Sequence, residues 1–157
     1  MKGREPMNLL FLCTGNTCRS PMAEAIALDL LRRDGGFSGT AVTSAGLAAF
    51  PGDGATPAAV RVCEAHGLDI SGHRSKALTT DLVAASDHIY TMTLAQAAQL
   101  RQILPQAAAR IEPLSPQNDI ADPFGGSDDT YQRTYEQIEA AIKARLDEWK
   151  NESIKGE

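Results

Sequence analysis

A single-domain α/β fold, with a parallel sheet covered by helices on both faces, is what the sequence predicts. Three observations carry that expectation. Short apolar runs alternate with helical periodicities along the chain, the first run ends in a glycine-bearing turn that leads into a helix, and nothing divides the 157 residues into parts. Strand–helix alternation of this kind yields parallel strands whose crossovers bury both sheet faces. With 43% hydrophobic residues the chain can build one core, and no linker, repeat or low-complexity tract marks a second. The domain is expected over residues 7–150, with 1–6 and 151–157 as flexible termini.

The elements follow in order. Residues 7–12 (MNLLFL) form a nearly continuous apolar run, the pattern of a strand buried on both faces. Ser20-Pro21 reads as a helix start, with serine as N-cap and proline at the first helical position, where its missing N–H has no partner. Met22, Ile26 and Leu30, beside Ala23, Ala27 and Leu31, make an apolar helical face that ends near Gly35-Gly36. A second strand spans 40–45, closed by Gly46, and Thr56-Pro57 repeats the cap-then-proline signal before a helix from Ala58 to His66. His88 to Met92 is a third strand, followed by an Ala/Gln/Leu-rich helix that ends before Pro105. Ile111 to Leu114 is a weaker fourth strand, since Pro113 cannot donate to a ladder. Tyr131, Tyr135, Ile138, Ile142, Leu146 and Trp149 recur every three or four residues and give the last helix.

Parallel sheets bind ligands at the carboxyl ends of their strands. Directly after the first strand stand Cys13, Thr14, Gly15, Asn16, Thr17, Cys18, Arg19 and Ser20. Successive amides in such a turn form an anion nest, and the following helix N-terminus adds partial positive charge. Gly15 is expected to keep a Cβ out of this path, and Asn16 to tolerate left-handed backbone angles. Arg19 offers a planar fork for two oxygens of a tetrahedral oxyanion. A helix N-terminus and a cation also favour the thiolate of a cysteine set against them, so Cys13 is the candidate nucleophile and Ser20 a hydrogen-bond partner for its sulfur. Taken alone, Cys13 would read as a small buried residue; the combination of strand, Cys, Gly, Asn, Arg, Ser-Pro and amphipathic helix is far more specific.

Bulk properties exclude several classes. A net charge of −5 and a pI near 5.2 disfavour sequence-independent nucleic-acid binding. The apolar stretches are too short to span a membrane, and MKGREP has no signal-peptide core, so a cytoplasmic protein is expected. The three cysteines, Cys13, Cys18 and Cys63, fit a reducing compartment. No second ligand pair accompanies Cys13 and Cys18 and the histidines are scattered, so neither a metal nor another cofactor is expected. Cys63 lies on the apolar side of its helix and reads as core.

The run CTGNTCRSPMAEA resembles the signature loop of the low-molecular-weight protein-tyrosine-phosphatase family, which includes bacterial protein-arginine phosphatases, and similar markers follow in order from Met7 to Trp149. The resemblance implies a three-layer sandwich around a four-stranded, twisted parallel sheet. It implies a cysteine-dependent protein phosphatase that forms a phosphocysteine intermediate on phosphorylated protein substrates, and the chain is expected to act as a monomer. A proton donor is then needed for the departing group. In IADPFGGSDDTY the residue that matches the family's acid is Asp122, although by pattern alone Asp119, Asp128 and Asp129 compete with it. Ser44 and His73 match residues that support the loop through hydrogen bonds with its asparagine, here Asn16. The resemblance further implies that Cys18 can pair with Cys13 in a protective, reversible disulfide, a role that competes with simple packing.

Two positions bear on the substrate. Thr17 stands where tyrosine-directed members commonly carry an aliphatic residue, and Phe124 is followed by two glycines where they place adjacent aromatics. The segment AGLAAFPGDGATP also lacks the usual tryptophan. Fewer flat walls weaken the case for a phosphotyrosine ring, and the pattern is similar to the arginine-directed branch, so phosphoarginine is favoured, with phosphotyrosine the alternative. An arsenate reductase would need further cysteines after Cys63, and a mere phosphate-binding module would need neither Cys13 nor Asp122.

Overall fold

The computed structural model describes residues 6–155. Strands β1 (Asn8–Cys13), β2 (Ala41–Gly46), β3 (His88–Thr91) and β4 (Ile111–Pro113) form one sheet in the order β2-β1-β3-β4, every neighbouring pair parallel. The helices are α1 (Arg19–Asp34), α2 (Pro57–Ala65), α3 (Thr80–Ala85), α4 (Leu94–Ile103) and α5 (Asp128–Lys155), with a 3-10 turn over Pro105–Arg110. The expected alternation is present, and helices cover both faces.

The central place of β1 explains why its sequence is apolar without a break from Leu9 onward. Side chains alternate across a strand, and here Leu9, Phe11 and Cys13 enter the core beneath α1, α2 and α5, while Leu10 and Leu12 enter the core beneath α3 and α4. All five are buried. Cys13 therefore belongs to the strand, one residue beyond the expected end, and faces α1 and α5. Pro113 is tolerated because β4 is an edge strand.

Two elements were not anticipated. Helix α3 has six residues, too few to display a periodicity, and is started by the Thr79 hydroxyl accepting from the Leu82 amide at 3.1 Å. Pro105 begins a 3-10 turn where only the end of α4 was expected. The expected flexible ends fall partly outside the described residues; within them, α5 continues to Lys155.

Helix α5 is pinned to the sheet by a buried arginine. Arg145 donates from Nε to the Leu114 carbonyl at 3.0 Å and from Nη2 to the Pro113 carbonyl at 2.7 Å. Its guanidinium lies 5.0 Å from the Tyr90 ring centroid, and the Tyr90 hydroxyl accepts from Trp149 Nε1 at 2.8 Å. This clamp fixes the chain just after β4, and the next residues lead to Ile120 and Asp122.

Candidate active site

The turn from Cys13 to Arg19 joins the carboxyl end of β1 to the start of α1, at the edge where ligands bind in parallel sheets. Its centre is Asn16, fully buried, with φ 56°, the one positive φ at a non-glycine among the described residues. Asparagine visits this region more readily than other L-residues, yet the strain still needs external partners. Four bonds supply them, and a fifth backs one of the partners. Asn16 Nδ2 donates to Ser20 Oγ at 2.8 Å and Ser44 Oγ at 3.0 Å, and Oδ1 accepts from the Lys76 amide at 3.0 Å. Its carbonyl meets His73 Nε2 at 2.7 Å, and Ser44 in turn donates to Glu24 Oε1 at 2.6 Å. Ser44 and His73 thus contact Asn16 as expected. Glu24 and the Lys76 backbone were missed, because nothing in sequence marks a carboxylate or an amide for this duty.

The expected N-cap role of Ser20 is corrected. Helix α1 begins at Arg19 with Cys18 at the cap position, which leaves Ser20 and Pro21 inside the first turn. The Ser20 hydroxyl lies 3.0 Å from Cys13 Sγ, the other contact expected of it. With Asn16 donating into its oxygen, Ser20 has its own proton to give to the sulfur. Proline remains acceptable there because first-turn amides lack intrahelical partners.

The expectation for Gly15 is corrected too. A Cβ there would meet only Thr17 Oγ1, at an ordinary 3.5 Å, and the residue has no positive φ. The glycine that the loop requires is Gly46, at the end of β2. A Cβ on it would lie 2.6 Å from Ala49 Cβ, 2.8 Å from the Thr14 carbonyl oxygen and 3.1 Å from the Asn16 amide nitrogen. Two of those are loop backbone atoms, and the next amides, Leu47 and Ala48, donate to the Cys13 and Thr14 carbonyls at 2.9 Å each.

Arg19 is buried and donates from Nη1 to the Ile120 carbonyl at 3.0 Å. Its Nη2 lies 3.8 Å from Asp122 Oδ2, whose side chain is 54% exposed. The competing aspartates are occupied differently. Asp119 Oδ1 accepts from the Leu94 amide at 2.8 Å and so anchors the start of α4. Asp128 forms a two-pronged pair with Arg61 at 3.0 and 2.8 Å, which holds its carboxyl below the usual range. Asp122 Oδ1 accepts from the Phe124 amide at 3.1 Å, a tight turn continued by Gly125 at φ 79° and by Gly126, whose Cβ would strike the Pro123 carbonyl at 2.9 Å.

Cys18 is buried, and burial, then the neighbouring Cys13, push its thiol pKa up. The three cysteines are free thiols. Thr17 Oγ1 lies 3.9 Å from Cys18 Sγ, and the Thr17 carbonyl accepts from the Thr56 amide at 2.9 Å. Thr56 Oγ1 donates to the buried Tyr131 hydroxyl at 3.1 Å, which ties this end of the loop to α5. Phe124 and Phe50 are exposed, at 72% and 81%. Among the described residues no cluster of His, Cys, Asp and Glu has the makings of a metal site, and no helix is long and apolar enough to cross a membrane.

A strand-end cysteine, a helix-start arginine and a facing aspartate on a four-stranded parallel sheet define a cysteine-based α/β phosphatase architecture. The chain belongs to the low molecular weight phosphotyrosine protein phosphatase family, whose model matches residues 8–155. It is 38% identical to a probable low molecular weight protein-tyrosine-phosphatase, EpsP, of Ralstonia nicotianae, over 87% of this chain and 91% of that protein. It is 35% identical to a protein-arginine-phosphatase of Bacillus subtilis, over 87% of this chain and 93% of that one. A cysteine-to-serine mutant of the YwlE arginine phosphatase, with a phosphorylated active site serine, superposes with a TM-score of 0.86 at 32% identity, covering 92% of this chain and 96% of the other.

Proposed function

We propose that this protein is a cysteine-dependent protein phosphatase with Cys13 as nucleophile, Arg19 as phosphate clamp, Asp122 as general acid and phosphoarginine as favoured substrate. The observation that carries the reading is the pairing of Ser20 Oγ with Cys13 Sγ at 3.0 Å, in a loop whose arginine is tethered 3.8 Å from Asp122. Arg19 and the amides of residues 14–19 hold three oxygens of the phosphoryl group, with the phosphorus set against the sulfur. Cys13 thiolate attacks, the S–P bond forms, and the P–N or P–O bond breaks as Asp122 gives its proton to the departing atom. Water then attacks the phosphocysteine and Asp122 takes its proton. The sulfur leaves as a thiolate that accepts the Ser20 hydrogen bond, and inorganic phosphate departs. The phosphorylated active site serine of the YwlE mutant supports a covalent intermediate at the equivalent position.

Substrate choice rests on Thr17 and the Phe124-Gly125-Gly126 turn. A half-buried threonine narrows the loop's rim with a hydroxyl where an aliphatic chain would present only methyl groups, and the two glycines leave Phe124 without an adjacent aromatic. Phosphotyrosine remains the second reading, favoured by two exposed phenylalanines able to flank a ring. Identity does not separate the two, since relatives of both names lie at 35–38%. Rates on phosphoarginine- and phosphotyrosine-bearing proteins, measured with Thr17→Ile alongside, test the choice. The wild type is expected to prefer phosphoarginine and Thr17→Ile to shift toward phosphotyrosine by about tenfold, the usual yield of one pocket contact. A wild-type preference for phosphotyrosine overturns the substrate assignment.

Cys18 is the proposed resolving thiol. A sulfenic acid on Cys13 would condense with it, losing water and forming a disulfide. Peroxide-treated enzyme is then restored by dithiothreitol, and Cys18→Ala is not.

A further inference from the structure

On the sheet face opposite α1 and α5, a groove of about 430 Å³ runs between α3 and α4, lined by Leu47, Leu78, Leu100, Ile103 and Leu104. Its remaining described lining is neutral, threonine, glutamine and valine, in a chain that is acidic overall. The volume falls in the range of ordinary ligand sites. Ile103 is 64% exposed at its far end, although isoleucine is a residue that folding usually buries.

Two lining residues connect this groove to the phosphate loop. Gln96 donates from Nε2 to Thr14 Oγ1 at 3.3 Å, and its Oε1 accepts from the Met92 and Thr93 amides at 3.1 and 3.2 Å, so its position is fixed from both ends. The Leu47 amide donates to the Cys13 carbonyl at 2.9 Å. The groove therefore starts one side chain away from the loop. From Gln96 to Ile103 it follows α4 for about 10 Å, the reach of roughly three residues of extended chain.

We propose that this groove is a docking subsite for the polypeptide of the phosphoprotein substrate, and that it takes an apolar side chain about two to five residues from the phosphorylated one. The inference rests on the phosphatase reading above. Its occupant follows from continuity and charge: a chain whose phosphoryl group lies in the 13–19 loop passes Thr14 and Gln96 into the groove, and an uncharged lining admits apolar side chains while leaving acidic ones unpaired. Small phosphate esters do not reach it.

The test compares wild type with Ile103→Asp and Gln99→Lys on phosphopeptides carrying leucine or aspartate at each flanking position, and on a small aryl phosphate. Wild type is expected to favour leucine by about five- to tenfold in kcat/KM at one or two positions on one side, typical of one apolar contact. Ile103→Asp is expected to abolish that preference while aryl phosphate turnover stays within twofold. Both variants keeping the wild-type preference, or a flat wild-type profile, overturns the proposal. So does a concentration-dependent dimer of the wild type that Ile103→Asp dissociates, which would make a second copy the occupant. Loss of aryl phosphate turnover in the wild type itself would instead strike the phosphatase reading.

Discussion

Replacing Gly46 by alanine adds a single uncharged methyl group, yet it is expected to cripple the phosphate loop. The new Cβ meets Ala49 Cβ at 2.6 Å, the Thr14 carbonyl oxygen at 2.8 Å and the Asn16 nitrogen at 3.1 Å, all inside normal contact. Overpacking of this kind costs about 1–3 kcal/mol in a core. Here the strain cannot be absorbed by a side-chain rotation, because two of the three atoms are loop backbone. Relief requires the 14–16 segment to move by a substantial fraction of an ångström, away from the Leu47 and Ala48 amides that hold it. Misplacing reacting groups by about 1 Å can lower a rate roughly 100-fold, equivalent to about 2.7 kcal/mol of transition-state stabilisation. The assay is kcat/KM on an aryl phosphate together with orthovanadate affinity and Tm. Gly46→Ala is expected to remain folded, with Tm a few degrees lower, and to lose both turnover and vanadate binding. Adding Ala49→Gly removes the 2.6 Å contact and should recover Tm but not activity, since the Thr14 oxygen is still in the way. A folded Gly46→Ala enzyme within twofold of wild-type activity would refute the argument that this close approach sets the loop.

Asp122→Asn is expected to lower kcat by about 10²- to 10⁴-fold on substrates with poor leaving groups and much less on good ones, read from a leaving-group series at fixed pH. Arg145→Ala leaves the Pro113 and Leu114 carbonyls without the guanidinium and should cost about 1–3 kcal/mol by denaturant unfolding, the usual penalty for stranding a buried polar group. Alkaline stability has a defined sign. Burial pushes the Cys63 thiol from about 9 up to about 12, and burial likewise raises Tyr135 to about 12, so folding favours their neutral forms. That contribution is complete below about pH 9 and fades as pH climbs toward 12, so Tm should fall across this window and Cys63→Ala should flatten the decline.

Much of the fold was legible because its signals are local. The β1 run, the βα alternation and the heptad-like spacing of α5 each require only neighbours within a few residues. Cys13, Asn16 and Arg19 were readable as a candidate site for the same reason, being contained in one turn. Helix α3 was not, since six residues give no period. For Ser20 the contact with the Cys13 sulfur was legible, while its capping role was not settled locally, because a Ser-Pro pair looks the same at the N-cap and inside the first turn. Among four nearby aspartates, only contacts to distant partners distinguish Asp122, facing Arg19, from Asp119 and Asp128, which hold α4 and Arg61.

By itself the sequence determined the order of strands and helices, the turn that carries the cysteine and arginine, and the family resemblance. What only the tertiary structure decided is which remote groups converge on that turn: Glu24 through Ser44, the Lys76 amide and His73 on Asn16, the Ile120 carbonyl on Arg19, and Gly46 beneath Thr14. Backbone propensity and periodicity act over a turn or two of chain, whereas these meetings span up to 101 residues and depend on strand register and helix packing that no local pattern encodes.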